Sequence, residues 1–111
     1  MNPKKKAVFN WSGGKDSALA LQSILHSNEF DVISLLTTID EETLRSSVHA
    51  IPLEALSKQA YSIGIPLYLV LLSGDLANYD EKMHETVEYF KQKDVNHFIF
   101  GDIFLADVRG Y

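Results

Sequence analysis

The chain has 111 residues, a length that suits one compact domain and is short for two. Hydrophobic residues make up 46% and charged residues 23%, a balance typical of soluble globular proteins, so disorder and fibrous repeats are disfavoured. The net charge of −5 has the wrong sign for broad contact with nucleic-acid backbones, so no nucleic-acid partner is expected. Because cysteine is absent, the chemistry must come from oxygen and nitrogen groups.

No export signal or membrane span is predicted from the sequence. The apolar run that follows Lys4, Lys5 and Lys6 is too short for the core of a signal peptide. The longest apolar stretch, residues 65–72, is far below the roughly twenty residues that a membrane helix requires. A cytoplasmic location without a membrane partner is therefore the expectation, and the absence of cysteine fits a reducing compartment.

The first third of the chain predicts a strand, a helix and a second strand. Residues 7–11 form a short apolar run that stops at a glycine turn, which is typical of a buried strand. From Ser17 the period becomes that of an amphipathic helix ending near residues 26–28. The apolar residues of its stripe are Ala18, Leu21, Ile24 and Leu25. Residues 32–38 are continuously apolar and β-branched, as expected for a strand covered on both faces of a parallel sheet.

The middle of the chain predicts a loop, a helix and a third strand. Residues 39–49 are polar and acidic without a clean period, which indicates a connecting loop with at most a short irregular turn. Pro52 suits the first turn of a helix, and Gly64 stands where a C-terminal glycine cap belongs. The apolar stripe of this helix comprises Leu53, Leu56, Ala60 and Ile63. Residues 66–72 supply the third strand.

The last third predicts a third helix, a fourth strand and a tail. Asp80 can cap a helix whose buried stripe is Met83, Val87 and Phe90, and residues 97–100 make the strand. Apolar residues of the tail indicate another helix starting near Asp107, and no fifth strand follows before Tyr111. The fourth strand is then expected to be an unpaired edge unless further residues or a second copy of the chain cover it, which makes a homo-oligomer one expectation.

Strands that alternate with helices at this spacing predict an α/β domain with a mostly parallel sheet and helices on both faces. The unusual polar segments, residues 12–17, 39–49 and 101–109, follow strands one, two and four. Because the carboxyl ends of parallel strands lie at one edge, these segments should converge there, near the point where strand order reverses.

One motif carries chemistry: the six residues between the first strand and the first helix, called here the glycine loop. Its members are Ser12, Gly13, Gly14, Lys15, Asp16 and Ser17. The glycines allow the backbone to approach phosphate oxygens, the helix N-terminus favours an anion, and Lys15 adds a positive charge. Asp16 would repel phosphate unless a cation such as Mg²⁺ lay between them or it capped the helix, which favours a metal–nucleotide ligand.

The glycine loop is not the common P-loop, since Phe9 and Asp16 occupy positions where that motif requires Gly and Ser or Thr. The segment FNWSGGKDSALAL instead resembles the PP-loop of the N-type ATP pyrophosphatases. Two further segments, residues 49–67 and 100–109, are similar to the diphthine–ammonia ligase family. The first motif defines the superfamily, and the other two together are more specific.

The resemblance implies a PP-loop fold across one ATP-binding domain, residues 1–111, without the last strand and C-terminal half that longer family members have. It implies that the glycine loop holds the ATP phosphates, and Lys15 and Asp102 are the candidate catalytic residues. Asp16 is the candidate ligand of Mg²⁺, while Asp102 could hold the ion or orient the acceptor. The residues implied to flank the adenine are Phe9, Asn10 and Thr37. Those implied on the substrate side are His49, Gly101, Asp107 and Arg109.

The resemblance also implies a reaction. ATP adenylates the carboxylate of diphthine on elongation factor 2, ammonia attacks, and the amide, AMP and pyrophosphate are released. The acceptor could be another carboxylate, because family members occur where diphthamide is not expected. Two alternatives stay open: a nucleotide-binding or assembly module without catalysis, and a tRNA-modifying pyrophosphatase, which the net charge and the lack of cysteine disfavour. Trp11, His26 and His97 are interpreted as structural.

Overall fold

The computed structural model describes residues 4–47, 50–73 and 78–100, and the backbone of residues 106–107. Strands and helices alternate through most of this part of the chain. In chain order they are β1 (Lys5–Asn10), α1 (Lys15–Ser27), β2 (Phe30–Asp40), α2 (Leu53–Ile63), β3 (Leu67–Leu72), α3 (Tyr79–Lys91), β4 (His97–Phe100) and β5 (Ala106–Asp107). None of the described helices is long and apolar enough to cross a membrane.

The strands form one sheet in the order β3-β2-β1-β4-β5, and β1 to β4 are all parallel. The chain moves outward from β1 to β3 and then returns to the other side of β1 to form β4. Strand order therefore reverses between β1 and β4, whose last residues, Asn10 and Phe100, are paired. The α/β fold with a mostly parallel sheet is confirmed.

Each face of the sheet has its own apolar core, as right-handed crossovers require. On one face, Leu21 of α1 and Leu56 of α2 pack with Phe9 and Ile39 of the sheet. On the other, Val87 and Phe90 of α3 belong to a separate cluster, whose remaining buried members are Val8, Leu36, Val70, Leu72, Met83, Val95 and Phe98. The glycine loop leads from β1 into α1 and so lies on the side of α1 and α2.

Helix α1 corrects the predicted start and stripe. It begins at Lys15, directly after the glycines, and its buried residues are Ser17 and Leu21. Ala18 is exposed and Leu25 is 42% exposed, so assigning them to the buried face was wrong. The reason is that the small polar Ser17 takes an inward position, where its hydroxyl accepts a hydrogen bond from the backbone N–H of Ser12.

The stripe of α3 matches its prediction, and that of α2 matches in part, since Leu53 and Ile63 at its ends are only half-buried. In α2, Leu56 and Ala60 are buried, and Gly64 ends the helix in the left-handed conformation at φ +85°. In α3 all three predicted stripe residues are buried. Asp80 is not the cap, because α3 begins at Tyr79 with Asn78 at the N-cap, which places Asp80 in the first turn.

The described part of the segment predicted as a loop after β2, residues 39–47, is a folded hairpin. Strand β2 extends to Asp40, and the chain returns through an antiparallel bridge between Ile39 and Ser46. The carboxylate of Asp40 accepts hydrogen bonds from the backbone N–H groups of Glu42, at 2.8 Å, and Thr43, at 3.3 Å, which closes the turn. Short-range side-chain bonds of this kind leave no periodic signal in a sequence.

The predicted C-terminal helix near Asp107 is also corrected. Ala106 and Asp107 form β5, which pairs antiparallel with Phe98 and His97 of β4. The edge of β4 therefore has a partner from its own chain over these residues. An unpaired strand edge favours such pairing, because its N–H and C=O groups need hydrogen-bond partners.

Candidate functional site

The glycine loop lies at the carboxyl end of β1, beside the strand reversal. In parallel α/β sheets, ligands bind in the crevice at this point. Trp11, the first residue after β1, is tied to β2 by two hydrogen bonds. Its N–H donates to the Leu36 carbonyl at 2.7 Å, and its own carbonyl accepts from Thr37 Oγ1 at 2.6 Å. The loop thus starts from a fixed position.

The backbone of the glycine loop is partly bound by its own serines. The Ser12 N–H donates to Ser17 Oγ at 3.3 Å, and the Gly14 N–H donates to Ser12 Oγ at 3.4 Å. Gly14 is the N-cap of α1, and no side chain caps this helix. The N–H groups of the first turn have no acceptor within the helix, so the positive end of α1 faces the loop. This arrangement is suited to an anion.

The backbone angle and the close neighbours of Gly13 leave little room for a side chain at this position. Its φ is +83°, in the left-handed region. A Cβ atom there would lie 2.6 Å from Ile51 Cδ1, 3.0 Å from Leu56 Cδ2 and 3.2 Å from Gln59 Oε1. The loop backbone therefore lies against α2 and against Ile51, two residues before that helix.

Gln59 of α2 contacts the loop and was not identified from the sequence. Its Oε1 accepts a hydrogen bond from the indole Nε1 of Trp11 at 2.9 Å, and its Nε2 donates to the Gly13 carbonyl at 3.4 Å. The available signal was its place on the helix, three residues after Leu56 and beside Ala60, at the margin of the buried stripe. Trp11 is only 4% exposed, which agrees with its interpretation as a packing residue.

The two charged residues of the loop are both accessible. Lys15 and Asp16 are exposed in the first turn of α1, and neither is in an ion pair with another described residue. Over the same residues, no group of three His, Asp or Glu side chains is placed to hold a metal ion. Mg²⁺ is commonly held by one or two carboxylates together with substrate phosphates, and a single accessible Asp16 beside an anion site fits that pattern.

The residues expected to flank the adenine lie together at the carboxyl end of β1, where Thr37 of β2 comes one residue after the partner of Asn10. Phe9 and Thr37 are 0% and 2% exposed, and the Thr37 hydroxyl is bound to the Trp11 carbonyl. A ligand at this edge would meet Phe9 through its backbone. Asn10 is half-buried at the end of β1, so it is the only one of the three whose side chain retains some exposure. Their role at the adenine stays a prediction.

The expected substrate residues fall mainly outside the described part of the chain. His49, Gly101, Asp102 and Arg109 lie there. Asp107 is described by its backbone, which pairs with His97 at the start of β4. Its backbone is therefore three residues, about 10 Å, from the carboxyl end of that strand and is not brought to the glycine loop. The substrate role of all five stays a prediction.

An open groove of about 520 Å³ runs from the glycine loop along the gap between α1 and α2. Its lining residues are Trp11, Gly13, Gly14, Lys15, Ala18, Lys58, Gln59, Ser62 and Ile63. Lys58 forms an ion pair with Glu54 at 3.4 Å, but both side chains are largely exposed, so the pair contributes little to stability. Because the charge of Lys58 is paired with Glu54, the positive charge of the groove lies at its loop end, on Lys15.

A parallel sheet that reverses beside a glycine-rich loop, with an uncapped helix N-terminus behind it, defines an α/β domain with a site suited to an anion. The family model for the diphthamide synthase N-terminal domain matches residues 4–110. The chain therefore belongs to the diphthamide synthase N-terminal domain family, a family of ATP-using enzymes. No curated protein matches it.

Proposed function

We propose that this chain is the ATP-binding domain of a ligase that adenylates a carboxylate and joins it to ammonia. The observation that carries the proposal is the uncapped N-terminus of α1 behind Gly13 and Gly14, with Lys15 exposed beside it. These groups supply backbone donors, a helix dipole and a full positive charge at one place. Membership of the diphthamide synthase family supports the choice of reaction.

The proposed reaction has two displacements. A carboxylate oxygen of the acceptor attacks the α-phosphorus of ATP, the bond to the β-phosphate breaks, and pyrophosphate leaves. Ammonia then attacks the acyl carbon, loses a proton, and AMP leaves with the electron pair of the broken C–O bond. Negative charge grows on the phosphate oxygens in the first step, and Lys15 and the helix N-terminus offset it electrostatically.

Asp16 is the residue of this site that would hold Mg²⁺. When bound, the ion would neutralise phosphate charge and orient the pyrophosphate leaving group. An exposed carboxylate one residue from Lys15 would otherwise weaken the binding of a polyanion.

The family resemblance implies diphthine on elongation factor 2 as the carboxylate acceptor, and membership of the diphthamide synthase N-terminal domain family supports that choice. In this proposal His49, Gly101, Asp102, Asp107 and Arg109 serve the acceptor side, and Asp102 assists catalysis. Arg109 is suited to clamp a carboxylate through two parallel hydrogen bonds.

The products of ATP cleavage test the proposal. We expect the full chain, given Mg-ATP, ammonium and elongation factor 2 carrying diphthine, to form AMP and pyrophosphate in equal amounts with the new amide. Omitting the acceptor should abolish most pyrophosphate release. Formation of ADP and phosphate would contradict activation at the α-phosphate. Tight ATP binding without pyrophosphate release would favour the nucleotide-binding module instead.

A further inference from the structure

We infer that Gln59 is a positioning residue, which orients the peptide between Gly13 and Gly14 and so sets the anion-binding face of the glycine loop. The inference rests on the proposed function for the identity of the anion, a phosphate group of ATP. It adds to that function a residue on α2 that lies 46 positions from Gly13 in the sequence.

The orientation of the Gln59 amide is fixed by Trp11. An indole N–H can only donate, so the atom 2.9 Å from Trp11 Nε1 must be the amide oxygen. The NH₂ group then points the other way, towards the Gly13 carbonyl at 3.4 Å. A flipped amide would place two donors against each other at Trp11 and two acceptors against each other at Gly13. The nearly buried indole thus selects one of the two amide orientations.

The direction of the Gly13 carbonyl in turn sets the direction of the Gly14 N–H. These two groups belong to one trans peptide, in which C=O and N–H point in opposite directions. Because the carbonyl is directed to Gln59 on α2, the Gly14 N–H is directed away from α2. It reaches Ser12 Oγ on the inner side of the loop, at the long distance of 3.4 Å. A phosphate oxygen that replaced the Ser12 hydroxyl as acceptor would find this donor already oriented.

Glycine at positions 13 and 14 makes such a restraint necessary. A peptide between two glycines rotates more freely than any other, because neither residue has a Cβ to limit its backbone angles. Without Gln59 the Gly13 carbonyl would be free to turn into the loop, where it would repel a phosphate oxygen. The hydrogen bond from Gln59 Nε2 opposes that rotation.

The test uses Gln59→Met, Trp11→Phe and the double variant. Gln59→Met has a similar shape but leaves the buried indole N–H of Trp11 without its acceptor, so it should lower both stability and anion affinity. Adding Trp11→Phe removes that orphaned donor. We expect the double variant to regain most of the lost melting temperature, while its calorimetric affinity for Mg-ATP and for inorganic pyrophosphate stays about tenfold below that of Trp11→Phe alone.

A separate measurement on the ligand-free chain keeps this inference distinct from the proposed function. The backbone amide chemical shifts of Gly13 and Gly14 should differ between Gln59→Met and the wild type. They should differ equally between the double variant and Trp11→Phe alone. If affinity returns together with stability, Gln59 has only a structural role and the inference is overturned. If the wild-type chain binds neither anion, the proposed function fails. If the Gly13 and Gly14 chemical shifts are the same with and without Gln59, the inference about Gln59 is overturned as well.

Discussion

Replacing Gly13 with alanine should both destabilise the chain and abolish its binding of Mg-ATP. The left-handed backbone at φ +83° costs an alanine about 1–2 kcal/mol. The new methyl group would also lie 2.6 Å from Ile51 Cδ1 and 3.0 Å from Leu56 Cδ2, and such overpacking costs a further 1–3 kcal/mol or so. The loop or the ends of these two side chains must shift to relieve the contacts. Urea unfolding and calorimetric titration measure the two effects.

Gly64→Ala is the matched control. Gly64 has nearly the same φ, +85°, but a Cβ there meets nothing within 4 Å. It should therefore show only the backbone cost, about 1–2 kcal/mol, and bind Mg-ATP as the wild type does. Equal losses of stability in the two variants would show that the contact between the glycine loop and α2 is not tight.

Replacing Leu56 with alanine should be the most destabilising change beneath the loop. Leu56 is fully buried, and its Cδ2 atom supports the backbone of Gly13 from below. Truncating a buried leucine costs about 2–5 kcal/mol through lost burial and the cavity left behind. We also expect weaker Mg-ATP binding at a temperature where the variant is folded, because the support of Gly13 is lost.

Leu72→Ala separates these two effects. Leu72 is equally buried but belongs to the core on the α3 side of the sheet. The same substitution there should reduce the free energy of unfolding by a similar amount, about 2–5 kcal/mol, and leave the affinity for Mg-ATP unchanged. If both leucine variants lose affinity alike, binding follows overall stability and not the local support of Gly13.

The order of the strands and helices could be predicted because each has a strong local signal. The continuous apolar run of β2 indicated a strand covered on both faces, and Gly64 marked the end of α2. The residues of the glycine loop located it in the sequence, and its first three, Ser12 to Gly14, lie as predicted between β1 and α1. The adjacent reversal of strand order follows from α1 and α2 sharing one face while α3 takes the other.

The remaining features depend on contacts that a sequence does not display. Ser17 is polar, so nothing local indicated that it would be buried in place of Ala18. The turn after β2 is closed by the carboxylate of Asp40, and β5 is held by backbone pairing with β4. Gln59 acts through two hydrogen bonds to residues more than forty positions away. Its function is visible only once α2 lies against the loop.

The central claim is that the glycine loop holds the phosphates of ATP, and calorimetric titration of Mg-ATP tests it most directly. The comparison is between the wild-type chain, Lys15→Ala and Lys91→Ala, a variant with the same charge change in the last turn of α3 on the opposite face of the sheet. We predict saturable binding to the wild type, an affinity about tenfold or more lower in Lys15→Ala, which corresponds to about 1.4 kcal/mol, and no change in Lys91→Ala. Equal affinity in all three, or no binding to the folded wild-type chain, would contradict the claim.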